Sequence, residues 1–433
     1  MQDRSRRLQR SPLGGSPSVV AGLAIWNAGN YAFFLLAGRM LGPADYGMVA
    51  ALLAITLIVL VPSGALQVGV SRHLASLGDS GRSEGDEFVR QAFKWAALTG
   101  VGLGVTAVAV ALVVDPTVGT AAIVLTGLAI VPMGVFSVGL GTLQGQQRFG
   151  AFAAGLGMLG APRPIMLILL AAVAGGVPIA MGATAITMFG AASVTFLLAW
   201  PRTPRGLEPV VAWRSFLPKL APLSLGLVGV SLLLNVDVIV AKVSLSDHTA
   251  GQFGAVAVLA KAVTLLPQAL SWVLLPRIAR ARSHGECTGP LLAVGAAITI
   301  IGGILATSIG WIAGGPITEL AFGSDYADGG ALLGPLIAVA SLVGVLMLLL
   351  NHHVGLGQSA FVWMVVALAS IEVVLFALFH DSWQAIIWVE AVVGFAGIAL
   401  HEVRFGRGDD GLLRSIVLLV GPSRKTVVWP STK

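Results

Sequence analysis

The chain alternates long apolar runs with short polar breaks. Twelve apolar segments stand out, near 19–38, 47–70, 95–114, 120–143, 150–174, 177–200, 218–241, 253–276, 290–313, 329–351, 358–379 and 383–401. A run of ~20 apolar residues spans ~30 Å of hydrocarbon as an α-helix, so each segment predicts a membrane-crossing helix. The fifth and sixth are parted by little more than Gly175 and Gly176. The first follows Arg4, Arg6, Arg7 and Arg10, as the core of a signal peptide would. Its apolar run is long and lacks a small-x-small cleavage site, so it reads as the first span. Beyond His401 only 415–420 is apolar, too short to cross, and an interfacial turn or disorder is expected there.

The basic residues orient these spans. With the N-terminus inside, 22 of the 26 Lys and Arg fall in segments on the cytoplasmic side. Arg39 and Lys242 lie outside, and Arg163 and Lys261 lie within spans. That asymmetry follows the positive-inside rule and supports an even number of crossings. The expected organisation is a cytoplasmic tail over 1–17, a six-helix bundle over 18–200, a cytoplasmic linker over 201–217, a second six-helix bundle over 218–401, and a cytoplasmic tail over 402–433.

Composition narrows the function classes. Apolar residues make up 56% and charged residues 11% of the chain. Soluble domains carry about 25% charged residues, which argues against a soluble enzyme. Disorder is excluded by the apolar content. The net charge of +6 is spread over short loops and is no nucleic-acid signal. Cys287 is the sole cysteine, so internal disulfides and cysteine metal clusters are excluded. There is no Walker lysine loop and no HExxH motif, and neither a cofactor nor a metal is expected. Runs such as Gly139-x-Gly141 sit in spans, where glycine allows close helix packing.

The halves repeat at an offset of about 204 residues. LGPADYG at 41–47 aligns with LSDHTAG at 245–251. One residue further along the offset, Pro62 matches Pro267 and Arg72 matches Arg277. Gly145, Gln146 and Phe149 align with Gly357, Gln358 and Phe361. Six spans per half give both halves one orientation. Parallel repeats of this kind are a transporter architecture.

These residues carry a family resemblance. GRMLGPADYG at 38–47 resembles the first outer loop of bacterial polysaccharide-unit flippases, a family of the multidrug, oligosaccharide-lipid and polysaccharide exporter superfamily. NVDVI at 235–239 with AGQF at 250–253 resembles their seventh span and the loop after it. Leu265, Leu266 and Pro267 through Leu275, Pro276 and Arg277 resemble their eighth span, and FGSDY at 322–326 resembles the loop before their tenth. The likeness covers roughly 18–400. It implies an all-α polytopic membrane protein whose twelve helices form two six-helix bundles in a V around a central cavity. It also implies a non-enzymatic flippase of the bacterial cytoplasmic membrane, moving a polyprenyl-diphosphate-linked oligosaccharide outward by alternating access for cell-surface polysaccharide synthesis. Expected partners are the lipid-linked glycan, membrane lipids and other glycan-assembly membrane proteins, with no nucleic acid.

Ionisable groups within spans are costly and mark candidate chemistry. Arg163 sits between Pro162 and Pro164 near mid-membrane. It can grip phosphate oxygens with its planar fork, or cap carbonyls freed by the prolines. Lys261, Thr264, Gln268 and Ser271 step by three, four and three, placing a polar stripe on one face of span eight. Thr56, Ser63 and Gln67 form the corresponding face of span two. Asn27, Asn30 and Tyr31 share one face of span one, which ends in Arg39, and with Asn235 they offer a sugar-facing surface. Asp237 lies at a depth where it can pair with Lys261, as an outer gate, a proton carrier or a permanent structural pair. Glu372 and Glu390 in the last two spans are candidate proton carriers. His352 and His353 at the inner end of span ten read as groups that titrate near neutrality or simply as a polar boundary.

Three other functions compete with this one. A drug–cation antiporter of the same superfamily would need an acidic, aromatic cavity. A membrane glycan polymerase or ligase would carry a long outer loop with catalytic Arg or His, which this chain lacks. A non-transporting scaffold for glycan assembly is the remaining reading.

Overall fold

The computed structural model describes residues 17–77, 82–114, 119–201, 212–283, 287–406 and 411–420. The expectations for Arg4 to Arg10, for Arg202 and Arg205 of the linker, for Arg407 and for the tail beyond 420 lie outside the described residues. Among the described residues every regular element is helical. They are α1 (Pro17–Leu77), α2 (Arg82–Val114), α3 (Thr120–Ile130), α4 (Met133–Gly145), α5 (Phe149–Gly160), α6 (Pro162–Ala171), α7 (Val177–Ala199), α8 (Ala212–Ser244), α9 (Asp247–Lys261), α10 (Leu265–Ser283), α11 (Gly289–Phe322), α12 (Leu333–Gly355), α13 (Ala360–Leu378), α14 (Trp383–Phe405) and α15 (Leu412–Val420). Short 3₁₀ turns join α9 to α10 and α11 to α12.

Eleven of the resulting helical segments are long and apolar enough to cross a membrane. The first of them, α1, holds two of the twelve segments read from sequence. At 61 residues it would measure ~90 Å if straight, three times the hydrocarbon thickness. It breaks at Gly42, whose φ of 70° and ψ of 170° only glycine adopts without strain. Pro43 follows as the first residue of the next helical stretch, where its missing N–H costs nothing. The fifth and sixth segments are separate helices, parted at Gly176 with φ 71°. The chain is an all-α polytopic membrane protein.

Two compact units emerge. Unit 1 comprises residues 1–231 and 246–255, and unit 2 comprises 232–245 and 256–433. Within unit 1, α1 packs on α4 and α5, and α7 packs on α3 and α4. Within unit 2, α12 packs on α10, α11 and α14. Lipid tails are as apolar as the side chains, so these contacts rest on close packing rather than on expulsion of water. Glycine is the enabling residue. A Cβ on Gly160 would stand 2.6 Å from the carbonyl oxygen of Trp26, so α5 lies directly against α1 there. Several buried hydroxyls are satisfied within their own helices. Thr126, Thr142, Thr299 and Thr318 each donate 2.8 Å to the carbonyl four residues earlier.

One local expectation is corrected. The stretch at 415–420 belongs to helix α15, which packs on α11. Its partners come from distant sequence, so hydropathy alone left it as a turn or disorder. His352 and His353, in the last turn of α12, lie 1% and 0% exposed among aromatic rings.

Candidate functional site

Charged side chains gather at two buried places, one in each unit. In unit 1 the centre is Arg163. The helix breaks where the Pro162 and Pro164 pair predicts, with α5 ending at Gly160 and α6 beginning at Pro162. Ala161 keeps helical angles, so the axis continues and Arg163 is carried one turn beyond the Gly160 contact with α1. That contact sets Asn30 beside it. Asn30 Oδ1 accepts from Arg163 Nη1 at 2.8 Å. Thr184 Oγ1 accepts from Nε at 3.2 Å and from Nη2 at 3.0 Å, while its own hydroxyl donates to Ala180 O. The guanidinium also lies over the Phe33 ring, 3.9 Å from its centroid, a cation–π geometry.

Arg163 is 5% exposed. Its three hydrogen bonds use three of five N–H donors, and all three go to neutral oxygens. No carboxylate among the described residues pairs with it. The expected capping of freed backbone carbonyls does not occur, because the side chain is turned toward α1 and α7 instead. The buried Tyr46 is also close enough to influence it electrostatically.

In unit 2 the centre is the pair of Asp237 on α8 and Lys261 at the end of α9. Lys261 Nζ donates to Asp237 Oδ1 at 2.9 Å. Asp237 is 1% exposed, and its second oxygen has no hydrogen-bond partner. Glu372 on α13 and Glu390 on α14 are close enough to feel both charges of that pair, and Glu390 feels Glu372 as well. They are 1% and 5% exposed, and Oε2 of each is buried without a partner. Asp237, Lys261 and Glu390 line one small cavity with Leu336, Val339 and Val343, with room for about one water molecule. Among the described residues no three His, Cys, Asp or Glu side chains converge to hold a metal ion. Three carboxylates against one ammonium make this an acid-rich buried site.

Sequence spacing paired Asp237 with Lys261, and the ion pair is formed. It did not join Glu372 and Glu390 to them, because the four residues come from four helices spread over 154 positions (390 − 237 + 1). A 3₁₀ turn at Ala262–Thr264 lies within the polar stripe of span eight. Thr264 donates to Lys261 O at 2.7 Å and Ser271 to Pro267 O at 2.8 Å, so both hydroxyls serve their own backbone. Gln268 is half-buried. In span two, Thr56 likewise turns to Leu52 O, and Gln67 donates to Gln144 across helices.

Span one divides similarly. Asn30 joins Arg163, whereas Asn27 donates to Leu23 O of its own helix at 2.9 Å. Tyr31 and Asn235 are half-buried, and Arg39 is exposed. Thr184 and Phe33 were not singled out from sequence. Their signal was weak, since a threonine and a phenylalanine in apolar spans look like ordinary packing.

No family model matches the sequence, and comparison with curated proteins found no match. Solved structures do match. The chain is similar to an inward-facing multidrug resistance MATE family transporter of the MOP superfamily, with a TM-score of 0.69, 14% identity, and coverage of 90% of this chain and 98% of that one. It is similar to the lipid II flippase MurJ in an inward closed conformation, with a TM-score of 0.66, 13% identity, and coverage of 93% and 90%. An outward-facing MATE family transporter matches with a TM-score of 0.62, 16% identity, and coverage of 93% and 98%. The chain therefore has, over nearly its whole length, the fold of these MATE family transporters and of MurJ.

Proposed function

We propose that this protein is a flippase that moves a polyprenyl-diphosphate-linked oligosaccharide across the bacterial cytoplasmic membrane by alternating access, with both termini in the cytoplasm. The observation that carries this reading is Arg163. A buried guanidinium held only by neutral oxygens keeps its charge and two N–H donors for an anion. A diphosphate oxygen outcompetes the neutral oxygen of Asn30 for such a cation, because charge-assisted bonds are about twice as strong. Asn27, Asn30 and Tyr31, in the same unit as Arg163, are the residues we assign to the sugars, with Arg39 as a further polar contact. The lipid tail stays in the bilayer, so only the headgroup needs a polar path.

The acid cluster of unit 2 supplies the coupling in this reading. Fully ionised, Asp237, Glu372 and Glu390 exceed Lys261 by two negative charges in a buried site. Proton uptake removes that excess at the lowest cost, so these residues exchange protons as transport proceeds.

The deciding experiment is mass spectrometry of polyprenyl-diphosphate glycans in cells lacking the protein. Accumulation of a complete repeat unit in the inner leaflet supports the flippase and identifies its glycan. Accumulation in the outer leaflet points to polymerase or ligase work. The acid cluster and the MATE-like fold favour one second reading, a drug–cation antiporter. It predicts no glycan accumulation and a rise in sensitivity to cationic drugs. Failure of both assays leaves the scaffold role.

A further inference from the structure

We propose that the Thr187 hydroxyl is a ligand donor of the Arg163 site and makes that site select a diphosphate over a single phosphate. The inference rests on the flippase reading above and assigns it a specificity residue. Its starting point is one exceptional side chain. Seven of the eight buried threonines within the described helices donate to a carbonyl of their own helix. The eighth is Thr187 on α7. It is 3% exposed, and its Oγ1 is buried without a hydrogen-bond partner. A rotation about χ1 would offer it the carbonyl of Ala183, four residues earlier, which is the bond its counterparts make. A buried hydroxyl left unpaired costs free energy, so the exception points to a partner outside the chain.

Its position says which partner. Thr187 stands one turn along α7 from Thr184, the residue that holds two nitrogens of Arg163. Residues three apart on a helix are neighbours, with Cβ atoms about 5–6 Å apart. By the same periodicity Thr184, Thr187 and Thr195 lie along one side of α7. Thr184 meets Arg163 of α6, and a Cβ on Gly155 of α5 would stand 2.7 Å from Thr195 Cγ2, so this side faces α5 and α6. Thr187 lies between those two contacts, all of them in unit 1.

The donors that remain fit an extended anion. The Thr184 hydroxyl is fully used, since it donates to Ala180 O and accepts twice from Arg163. Two guanidinium N–H groups and the Thr187 O–H are left. A single phosphate held by the guanidinium has no second group to offer Thr187. A diphosphate is longer by one P–O–P bridge, a length comparable to the separation of about 5–6 Å across one helical turn. Its second phosphate brings anionic oxygens to the hydroxyl, and an O–H bond to such an oxygen is charge-assisted and short. A hydroxyl also suits the empty site better than a second cation, because an unpaired buried charge costs far more than an unpaired buried hydroxyl.

The test measures binding of inorganic pyrophosphate and of inorganic phosphate to the full chain in lipid nanodiscs by titration calorimetry. The unaltered protein should bind pyrophosphate about tenfold more tightly than phosphate, or better. Thr187→Val keeps the side-chain shape and removes the hydroxyl. It should erase most of that preference, leave phosphate affinity unchanged, and melt no lower than the unaltered protein. Thr187→Ser should keep the preference. If Thr187→Val does not fold, Thr187→Ala makes the same comparison. A preference that survives loss of the hydroxyl, while Arg163→Ala abolishes binding, overturns this inference and leaves the flippase reading standing. Equal affinity of the unaltered protein for the two anions has the same effect. If the unaltered protein binds neither anion, or Arg163→Ala binds pyrophosphate as before, the inference falls together with the anion role of Arg163.

Discussion

Gly47 and Gly251 occupy equivalent positions in the two sequence halves, and they touch. A Cβ on Gly47 would stand 2.9 Å from Gly251 N and 3.1 Å from its Cα. A Cβ on Gly251 would meet the backbone of Pro43, 2.8 Å from its Cα. The loop after span one and the loop after span seven thus pack backbone to backbone. Residues 246–255 accordingly cluster with unit 1, although the repeat assigns them to the second half. Gly251→Ala leaves no space for its methyl group. The expected cost is about 1–3 kcal/mol from overpacking, measured as a lowered thermal midpoint of the purified protein.

Arg163 tests the anion reading. Arg163→Ala should abolish glycan export in the mass-spectrometric assay while surface-labelling shows the protein inserted and folded. Arg163→Lys should also fail, because a point-charge ammonium cannot reach Thr184 and Asn30 in the fork geometry and stack on Phe33. Normal export by Arg163→Ala would make the residue purely structural.

Asn30→Leu separates structure from transport at the same place. It removes one neutral acceptor from a buried guanidinium. The expected loss is about 1–3 kcal/mol of stability, read by chemical or thermal unfolding. Asn30→Asp should instead raise stability and stop export, since it supplies the counter-charge reserved for the substrate.

The Asp237 and Lys261 pair should show coupling. Breaking a buried ion pair from one side costs about 3–5 kcal/mol because the other charge is left alone. Asp237→Asn and Lys261→Met together should therefore cost no more than the worse single change. A double-mutant cycle on thermal stability checks this, and simple addition of the two effects would refute the coupling.

Glu390→Gln fixes a neutral side chain in the acid cluster. If protons drive the cycle through this site, the variant should export glycan at the same rate with and without an imposed pH gradient. The unaltered protein should slow when the gradient is collapsed with an ionophore. Proton movement measured in proteoliposomes gives the same comparison directly.

Much of the fold was legible along the chain, and the reason is the bilayer. A backbone in hydrocarbon must satisfy its own hydrogen bonds, so a run of ~20 apolar residues leaves few alternatives to a crossing helix. The twelve segments are found among the described helices, with 19–38 and 47–70 sharing α1 across the Gly42 turn. The Asp237 and Lys261 pair was also within reach, because both residues flank one short loop and depth follows from counting along each helix. The Arg163 partners were not. Asn30 and Thr184 lie 133 and 21 positions away, and nothing in their local sequence distinguishes them from other polar residues in spans.

The sequence by itself determined that the chain crosses a membrane many times, where its long apolar helices fall, and which few charges lie within them. Tertiary structure alone decided what those charges meet: Arg163 with neutral oxygens, Glu372 and Glu390 with the Asp237 pair, His353 with His401, and Glu402 with the start of α15. The division is physical. Burial in lipid depends on the character of one continuous segment, which the order of residues states directly. A partner across helices depends on which faces turn inward, and that is set by close contacts such as Gly160 on Trp26 that form only when the helices pack together.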